Sequence, residues 1–223
     1  MQQNLNLKIY DCGLKEYDKV LQFQHILVNH RRQGKIPNTV IIVEHTPVVT
    51  LGARESANKL LVTEDELAKE NIDLAEIRRG GGATAHNPGQ LVFYPIVDLS
   101  QMGLGASDYI RQLEAMGIEL LERFGVKCSR KAGYPGLWIG GKKIASIGVR
   151  VSRQIAYHGM AINISNDLGI FDTIVPCGLD GVQMTSVLKE TGSAPPMEDA
   201  KKTLGELLKK FWAGTGAVDY ENR

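Results

Sequence analysis

Apolar and polar residues alternate loosely from Leu5 to Cys12, the two-residue period of a strand. From Leu14 to about Arg32 the spacing lengthens. Tyr17, Val20, Leu21, Leu27 and Val28 share one helical face there, and Gly34 and Pro37 stop it. Thr39–Val43 is apolar enough for a buried strand, and Pro47–Leu51 predicts a continuation of the same sheet beyond a kink at Pro47. Thr63 and Glu66 have capping-box spacing at the head of a short helix that ends near Glu70.

Glycines then crowd the chain. Arg78-Arg79-Gly80-Gly81-Gly82 runs into Ala83-Thr84-Ala85-His86-Asn87-Pro88-Gly89, and a buried strand is expected immediately after, over Leu91–Leu99. Ser107 is the expected cap of a helix to about Phe124, with Ile110, Leu113, Leu120, Leu121 and Phe124 inward. Gly136 to Asn163 reads as a hairpin or meander with a turn at Gly140-Gly141. A last helix, about 198–212, sets Leu204, Leu207, Leu208 and Phe211 against lysines. No repeat or interdomain linker interrupts this pattern, which predicts one α/β (α+β) domain over residues 1–223.

The 223 residues suffice for a substantial core. Lys+Arg number 26 against 25 Asp+Glu, a net charge of +1, so no bulk basicity suggests nucleic acid or an anionic membrane as partner. The first residues carry no apolar stretch of the secretory kind, and no run approaches the ~18 apolar residues of a membrane span. Cys12, Cys128 and Cys177 are odd in number and far apart, which spells neither a disulfide framework nor a metal site. A reducing compartment is expected, the cytoplasm or an organelle matrix.

Few residues stand out as chemistry. Three successive glycines mark a tight turn or a close backbone approach, but neither a P-loop nor a GxGxxG pattern is present. Cys177 lies between Pro176 and Gly178, rigid neighbours that suit a nucleophile at a loop apex. A lone cysteine is nevertheless more often an inert buried thiol. Lys142 and Lys143 must point to opposite faces of a strand, so one of them enters a packed face or a cleft, where an ammonium is costly unless paired or used. His86 and His158 each stand beside a glycine- or proline-rich turn.

Taken in order, several stretches resemble the octanoyltransferases of protein lipoylation. They are Glu44-His-Thr-Pro-Val48 with Thr50-Leu-Gly52, Arg79-Gly-Gly with Thr84, His86 and Pro88-Gly-Gln-Leu-Val92, and Lys143-Ile-Ala-Ser-Ile-Gly148. His158-Gly-Met-Ala-Ile-Asn163, Asp167-Leu168 and Pro176-Cys-Gly178 complete the series, which reaches about Ser186. The resemblance implies the catalytic fold of biotin and lipoate-protein ligases, a mixed β-sheet flanked by helices. It implies an acyl-enzyme on Cys177 with Lys143 beside it, and an acyl chain lined by Arg79, Gly80, Gly81, Gly82, Ala83, Thr84, Ala85 and His86, by Ser146, Ile147 and Gly148, and by His158, Gly159, Met160 and Ala161. Ala85 and Asn87, where the family commonly has tyrosine and glycine, are expected beside that acyl tunnel.

The implied reaction moves an octanoyl (or lipoyl) group from acyl-carrier protein to a lysine of lipoyl domains, those of 2-oxoacid dehydrogenase complexes and of the glycine cleavage H protein. It is the first step of endogenous lipoate synthesis and involves no cofactor, metal, nucleic acid or membrane. A local basic surface drawn from Arg78, Arg79, Arg150 or Arg153 could steer such acidic partners. Two alternatives stay open. One is an ATP-dependent lipoate-protein ligase on the same fold, which needs no thiol. The other is a non-catalytic acyl- or carrier-binding protein.

Overall fold

The chain opens with β1 (Leu7–Lys15) and helix α1 (Tyr17–Arg32), which returns it to lay β2 (Asn38–His45) parallel to β1. β3 (Val48–Leu51), α2 (Glu64–Lys69), β4 (Asp73–Glu76) and β5 (Thr84–His86) follow, then β6 (Gln90–Asp98), α3 (Leu99–Met102) and α4 (Ala106–Arg123). The meander comprises β7 (Ser129–Lys131), β8 (Tyr134–Ile139), β9 (Lys142–Ser152) and β10 (Ile155–Asn163). Helices α5 (Val187–Thr191) and α6 (Met197–Leu208) and strand β11 (Val218–Asn222) close the chain. This computed structural model describes residues 6–213 and 216–223, the Cys177 side chain excepted.

Eight strands form one mixed sheet in the order β11-β1-β2-β6-β10-β9-β8-β7, and β4-β3-β5 form a small second sheet. The large sheet is covered on both faces, which explains why β2 and β6 are buried almost throughout and apolar at their centres. On β2, Val40 and Ile42 join Leu113, Leu120, Leu204 and Leu208 of α4 and α6, while Ile41 and Val43 join Tyr17, Val20, Leu27 and Val28 of α1. A third cluster, including Val49, Leu67, Ala83, Ala85 and Phe171, fills the far side of the small sheet. The expected fold class, α/β with a mixed sheet between helices, is the one observed.

The expected elements recur with shifted ends. The capping box at Thr63 is present, with Glu66 N–H donating to Thr63 Oγ1 and Thr63 N–H to Glu66 Oε2. The helix near Ser107 instead begins after Gly105, so Ser107 lies inside its first turn. The last α-helix ends at Leu208 and passes into one wider turn, Lys209–Ala213. Residues 47–51 do not extend the large sheet. They form the centre of the small one, because β3 pairs with β4 and β5 and not with any strand of the large sheet. Leu5, the expected start of the first strand, lies outside the described residues.

Candidate active site

Two of the motifs meet as cross-strand partners. In the β9–β10 pair, Ser146 opposes Ala161, Ile147 opposes Met160 and Gly148 opposes Gly159. The glycine-rich loop docks on the same strand, with Gly80 N–H donating to Val149 O (3.0 Å). Together they line a narrow, mostly apolar cavity of about 440 Å³, open end included, between the two sheets. Thr84 and His86 reach into it from β5. Ala83 and Ala85 point the other way, into the third core cluster, as the two-residue period of a strand demands.

Arg79 shapes the loop from within. It is only 7% exposed, so it is not part of a steering surface, unlike the exposed Arg78 and Arg153. Its guanidinium donates to Thr50 O and Thr50 Oγ1 (both 2.7 Å), to Gly82 O (2.7 Å) and to Gly80 O (3.1 Å). The fork thereby ties the glycine loop to β3. Its methylenes lie over Gly148, where a Cβ would stand 2.8 Å from Arg79 Cδ. Not every glycine of the loop serves the cavity. A Cβ on Gly82 would stand 2.2 Å from Ala57 O, and one on Gly159 2.1 Å from Phe93 O, so close backbone packing requires both glycines. Gly178 also packs closely on Ala57, where a Cβ would stand 2.7 Å from its Cα. Ala57 is therefore clasped between the glycine loop and the turn Pro176–Gly178.

The inner wall is aromatic and polar. The Tyr17 ring stacks on His86 (5.9 Å between centroids, 9° between planes), and His45 lies 5.6 Å from His86. His45 Nδ1 donates to Lys15 O (3.0 Å), which leaves its Nε2 to accept from Tyr94 OH (2.8 Å). Asn163 Nδ2 donates to Thr185 O, so its Oδ1 accepts from Gln90 Nε2, and Gln90 Oε1 accepts from His86 Nδ1 (2.7 Å). Both tautomers follow from these bonds. Burial pushes His45 down to about 4 and His86 down to about 3, the latter helped by His45, so both rings are neutral at physiological pH. Burial and then the Arg79 charge push His158 down to about 3. The same burial drives the Tyr17 and Tyr94 phenols up. The slot thus offers hydrogen-bonding groups without net charge on its rings.

Past Gly80, Gly81, Ile147 and Gly148 the cavity opens into a wider mouth of about 750 Å³, open end included, which contains Lys143. Lys143 is 2% exposed and its Nζ lies 5.3 Å from the Trp138 ring centroid, within cation–π range. Room for this side chain comes from Gly136, where a Cβ would stand 2.7 Å from Lys143 Cε. Lys142 turns outward and pairs with Glu190, the opposed pair that the strand period predicts. The backbone at Lys143 is pinned to residues 183–185, through Lys143 N–H to Gln183 O (2.8 Å) and Thr185 N–H to Lys143 O (2.9 Å). Leu179, two residues after Cys177, lines the same mouth. The Cys177 backbone forms the turn Pro176–Gly178, and its side chain lies outside the described residues. Burial raises both the Cys12 and the Cys128 thiol, Cys128 to about 11, which disfavours their thiolates.

Of the residues expected to line the acyl chain, the cavity brings together Arg79, Gly80, Gly81, Thr84, His86, Ser146, Ile147, Gly148, His158, Gly159, Met160 and Ala161. Gly82, Ala83 and Ala85 are not among its walls. Asn87 is not one either. It is buried and bonded to Asp167 O (2.8 Å) and Asn166 Nδ2 (3.0 Å), so neither departure beside His86 borders the slot. Sequence reasoning missed Tyr17, Val92 and Tyr94, which sit on the buried stripes of α1 and β6 and look like ordinary core until the small sheet is placed over them. Among the described residues, no group of three or more His, Cys, Asp or Glu is arranged to hold a metal ion, and no helix is long and apolar enough to cross a membrane.

Known proteins are similar to this chain in sequence and in fold. The lipoyl protein ligase A/B catalytic domain family is matched over residues 16–209. The mitochondrial octanoyltransferase LIP2 of Arabidopsis thaliana is 39% identical over 202 residues, covering 89% of this chain and 85% of that one. The octanoyltransferase of Desulfovibrio desulfuricans is 38% identical over 203 residues, 91% of this chain and 84% of that one. In fold, the chain is similar to one in the structure of the bi-partite lipoate protein ligase and E2 lipoyl domain of Thermoplasma acidophilum (TM-score 0.72, 14% identity, 100% of this chain and 87% of that one). The chain therefore belongs to the lipoyl protein ligase A/B catalytic domain family and, within it, to the octanoyltransferases, which are acyltransferases.

Proposed function

We propose that this acyltransferase takes an octanoyl group from the pantetheine thioester of acyl-carrier protein and places it on the lysine of a lipoyl domain, through a thioester on Cys177. The observation that carries the reading is a mostly apolar slot with neutral rings that opens at a buried lysine, with Leu179, next to the turn bearing Cys177, lining the same mouth. About seven apolar carbons of an octanoyl tail gain roughly 5 kcal/mol if fully buried there, at ~0.8 kcal/mol per methylene. That gain holds the carbonyl at the mouth.

In the first half-reaction Lys143 accepts the Cys177 proton, and the thiolate attacks the donor carbonyl. The carbon–sulfur bond to pantetheine breaks, and the departing thiolate takes the proton back from Lys143. One thioester replaces another, so the acyl group stays activated. In the second half-reaction the neutral acceptor amine attacks, its surplus proton passes to Lys143, and Cys177 leaves as thiolate to be reprotonated. Formation of an amide from a thioester drives this step forward. The acceptors are the lipoyl domains of 2-oxoacid dehydrogenase complexes and the glycine cleavage H protein.

The test is intact-protein mass spectrometry after mixing with octanoyl-carrier protein. A single octanoyl adduct, released by hydroxylamine, absent from Cys177→Ala and chased onto an apo lipoyl domain, is expected. Transfer at the wild-type rate by Cys177→Ala, or transfer only from free acid with ATP, would overturn the acyl-enzyme route.

A further inference from the structure

The mouth around Lys143 does not end at the mouth. A shallow groove shares Ile110, Gly133, Tyr134 and Pro135 with it and continues outward between α4 and β7. Three cations line this extension, Arg111, Arg130 and Lys131, against one carboxylate, Glu114. That carboxylate is already occupied, by Arg130 Nε (3.1 Å) and by the Gly136 N–H (3.2 Å). Arg111 and Lys131 have no carboxylate partner among the described residues, and both are exposed. Lys131 is held in place by the rings beneath it, with its Nζ 4.6 Å from the Trp138 centroid and 5.1 Å from that of Tyr134. The same Trp138 ring lies 5.3 Å from Lys143 Nζ, so a single indole touches both the reacting end of the mouth and the basic end of the groove.

Register gives the span. Lys143 opposes Trp138, which opposes Ser129, and Lys131 is two residues further along β7. Two strand spacings of ~4.8 Å and two residues of ~3.4 Å place the backbones of Lys143 and Lys131 about 12 Å apart. A pantetheine arm runs about thirteen bonds from sulfur to phosphorus, the extended length of roughly four residues, about 15 Å.

Resting on the proposed thioester donor, we propose that the groove between α4 and β7 holds the donor's pantetheine arm, with Arg111 and Lys131 binding the phosphodiester that joins it to the carrier protein. An anion at that end is matched in charge, and the apolar sides of Ile110 and Tyr134 line the path of the arm. The shared Trp138 then fixes the distance between phosphate and reacting carbonyl.

Direct binding of two unreactive probes tests this in the full-length protein: S-octyl-4′-phosphopantetheine and S-octylpantetheine, which lacks the phosphate. At low salt the wild-type protein is expected to bind the phosphorylated probe about tenfold more tightly, with the preference shrinking as salt screens it. In the Arg111→Glu/Lys131→Glu variant the ratio falls to about one while the affinity for S-octylpantetheine is unchanged. Arg111→Gln alone, at an exposed helix position, gives an intermediate ratio. Equal affinities in the wild type, or an undiminished preference in the charge-reversed variant, overturn the assignment. If the preference is present but no octanoyl group passes from octanoyl-phosphopantetheine to a lipoyl domain, the proposed function fails and the groove assignment stands.

Discussion

Arg79 invites the most telling perturbation, replacement by lysine. The charge is kept and the fork is lost. A lysine ammonium cannot span Thr50 on one side and Gly82 on the other, because the guanidinium reaches them with separate nitrogens, Nη2 and Nη1. At least one buried carbonyl is then left short of its donor, and the loop loses its tie to β3. Hydrogen bonds to a charged group contribute about 1.5–3 kcal/mol each, so losing two of the four costs about 4 kcal/mol. For a chain of this size, where 1 kcal/mol moves the midpoint by roughly 2–4 °C, that is about 10 °C in Tm. Thermal and urea unfolding of Arg79→Lys, Thr50→Val and the double variant measure it. The double variant is expected to lose less than the sum, because both changes break one network. A midpoint within about 2 °C of wild type, coupled with lost acyl transfer, would refute the strut and make Arg79 a substrate contact instead.

Three further outcomes follow from the same geometry. Ala161→Phe places a ring in the slot, and the kcat/KM for an octanoyl donor should fall by more than about tenfold while a butanoyl donor is spared, as a chain-length series would show. Gly178→Ala and Gly181→Ala share the cost of a left-handed backbone (φ +69° and +76°), about 1 kcal/mol. Only the first would also press on Ala57, so its loss of transfer activity should be much the greater in parallel assays. His45, His86 and His158 have folded values below the ordinary 6.5, so folding excludes their protons. Their contribution is complete above about pH 6.5 and declines as pH falls toward 4 and then 3. The unfolding free energy measured in urea should therefore steepen toward about 4 kcal/mol per pH unit at most. A flat profile between pH 6.5 and 4.5 would contradict neutral burial of the rings.

The regular parts of this fold were legible because their periods are long and clean. The 16 residues of α1 and the meander from β8 to β10 carry enough repeats for helix and strand spacing to be told apart. Of the small sheet, only β3 was legible as a strand, and its pattern pointed to the wrong sheet. Strand β4 reads Asp-Leu-Ala-Glu, and β5 contributes three residues, so neither contains a full strand signature. β11 reads Val-Asp-Tyr-Glu-Asn and is held by pairing with β1 more than by its own pattern. The site split along the same line. Lys143 and the glycine loop were visible as local anomalies, a lysine on an inward strand and glycines without a nucleotide motif, whereas the paired stretches Ser146–Gly148 and Gly159–Ala161 stood out only through the resemblance. Tyr17, Val92 and Tyr94 were invisible because a buried aromatic or valine on a regular element looks the same over a core as over a cavity. Only the tertiary placement of β5 distinguishes the two.

Ala57 carries a consequence for how this chain can vary. Surface loops ordinarily absorb insertions and deletions, and Arg54, Glu55 and Ser56 are exposed. Yet the short turn they belong to ends in a methyl group seated between Gly82 and Gly178, with Ala57 O accepting from Ala83 N–H and Lys59 O from Val175 N–H. One added residue would push the loop that lines the slot and the turn that bears Cys177 apart in a single stroke. This stretch of open surface therefore has the length constraint of an interior, and natural variation in it should be confined to side chains that leave the count of residues between Gly52 and Lys59 unchanged.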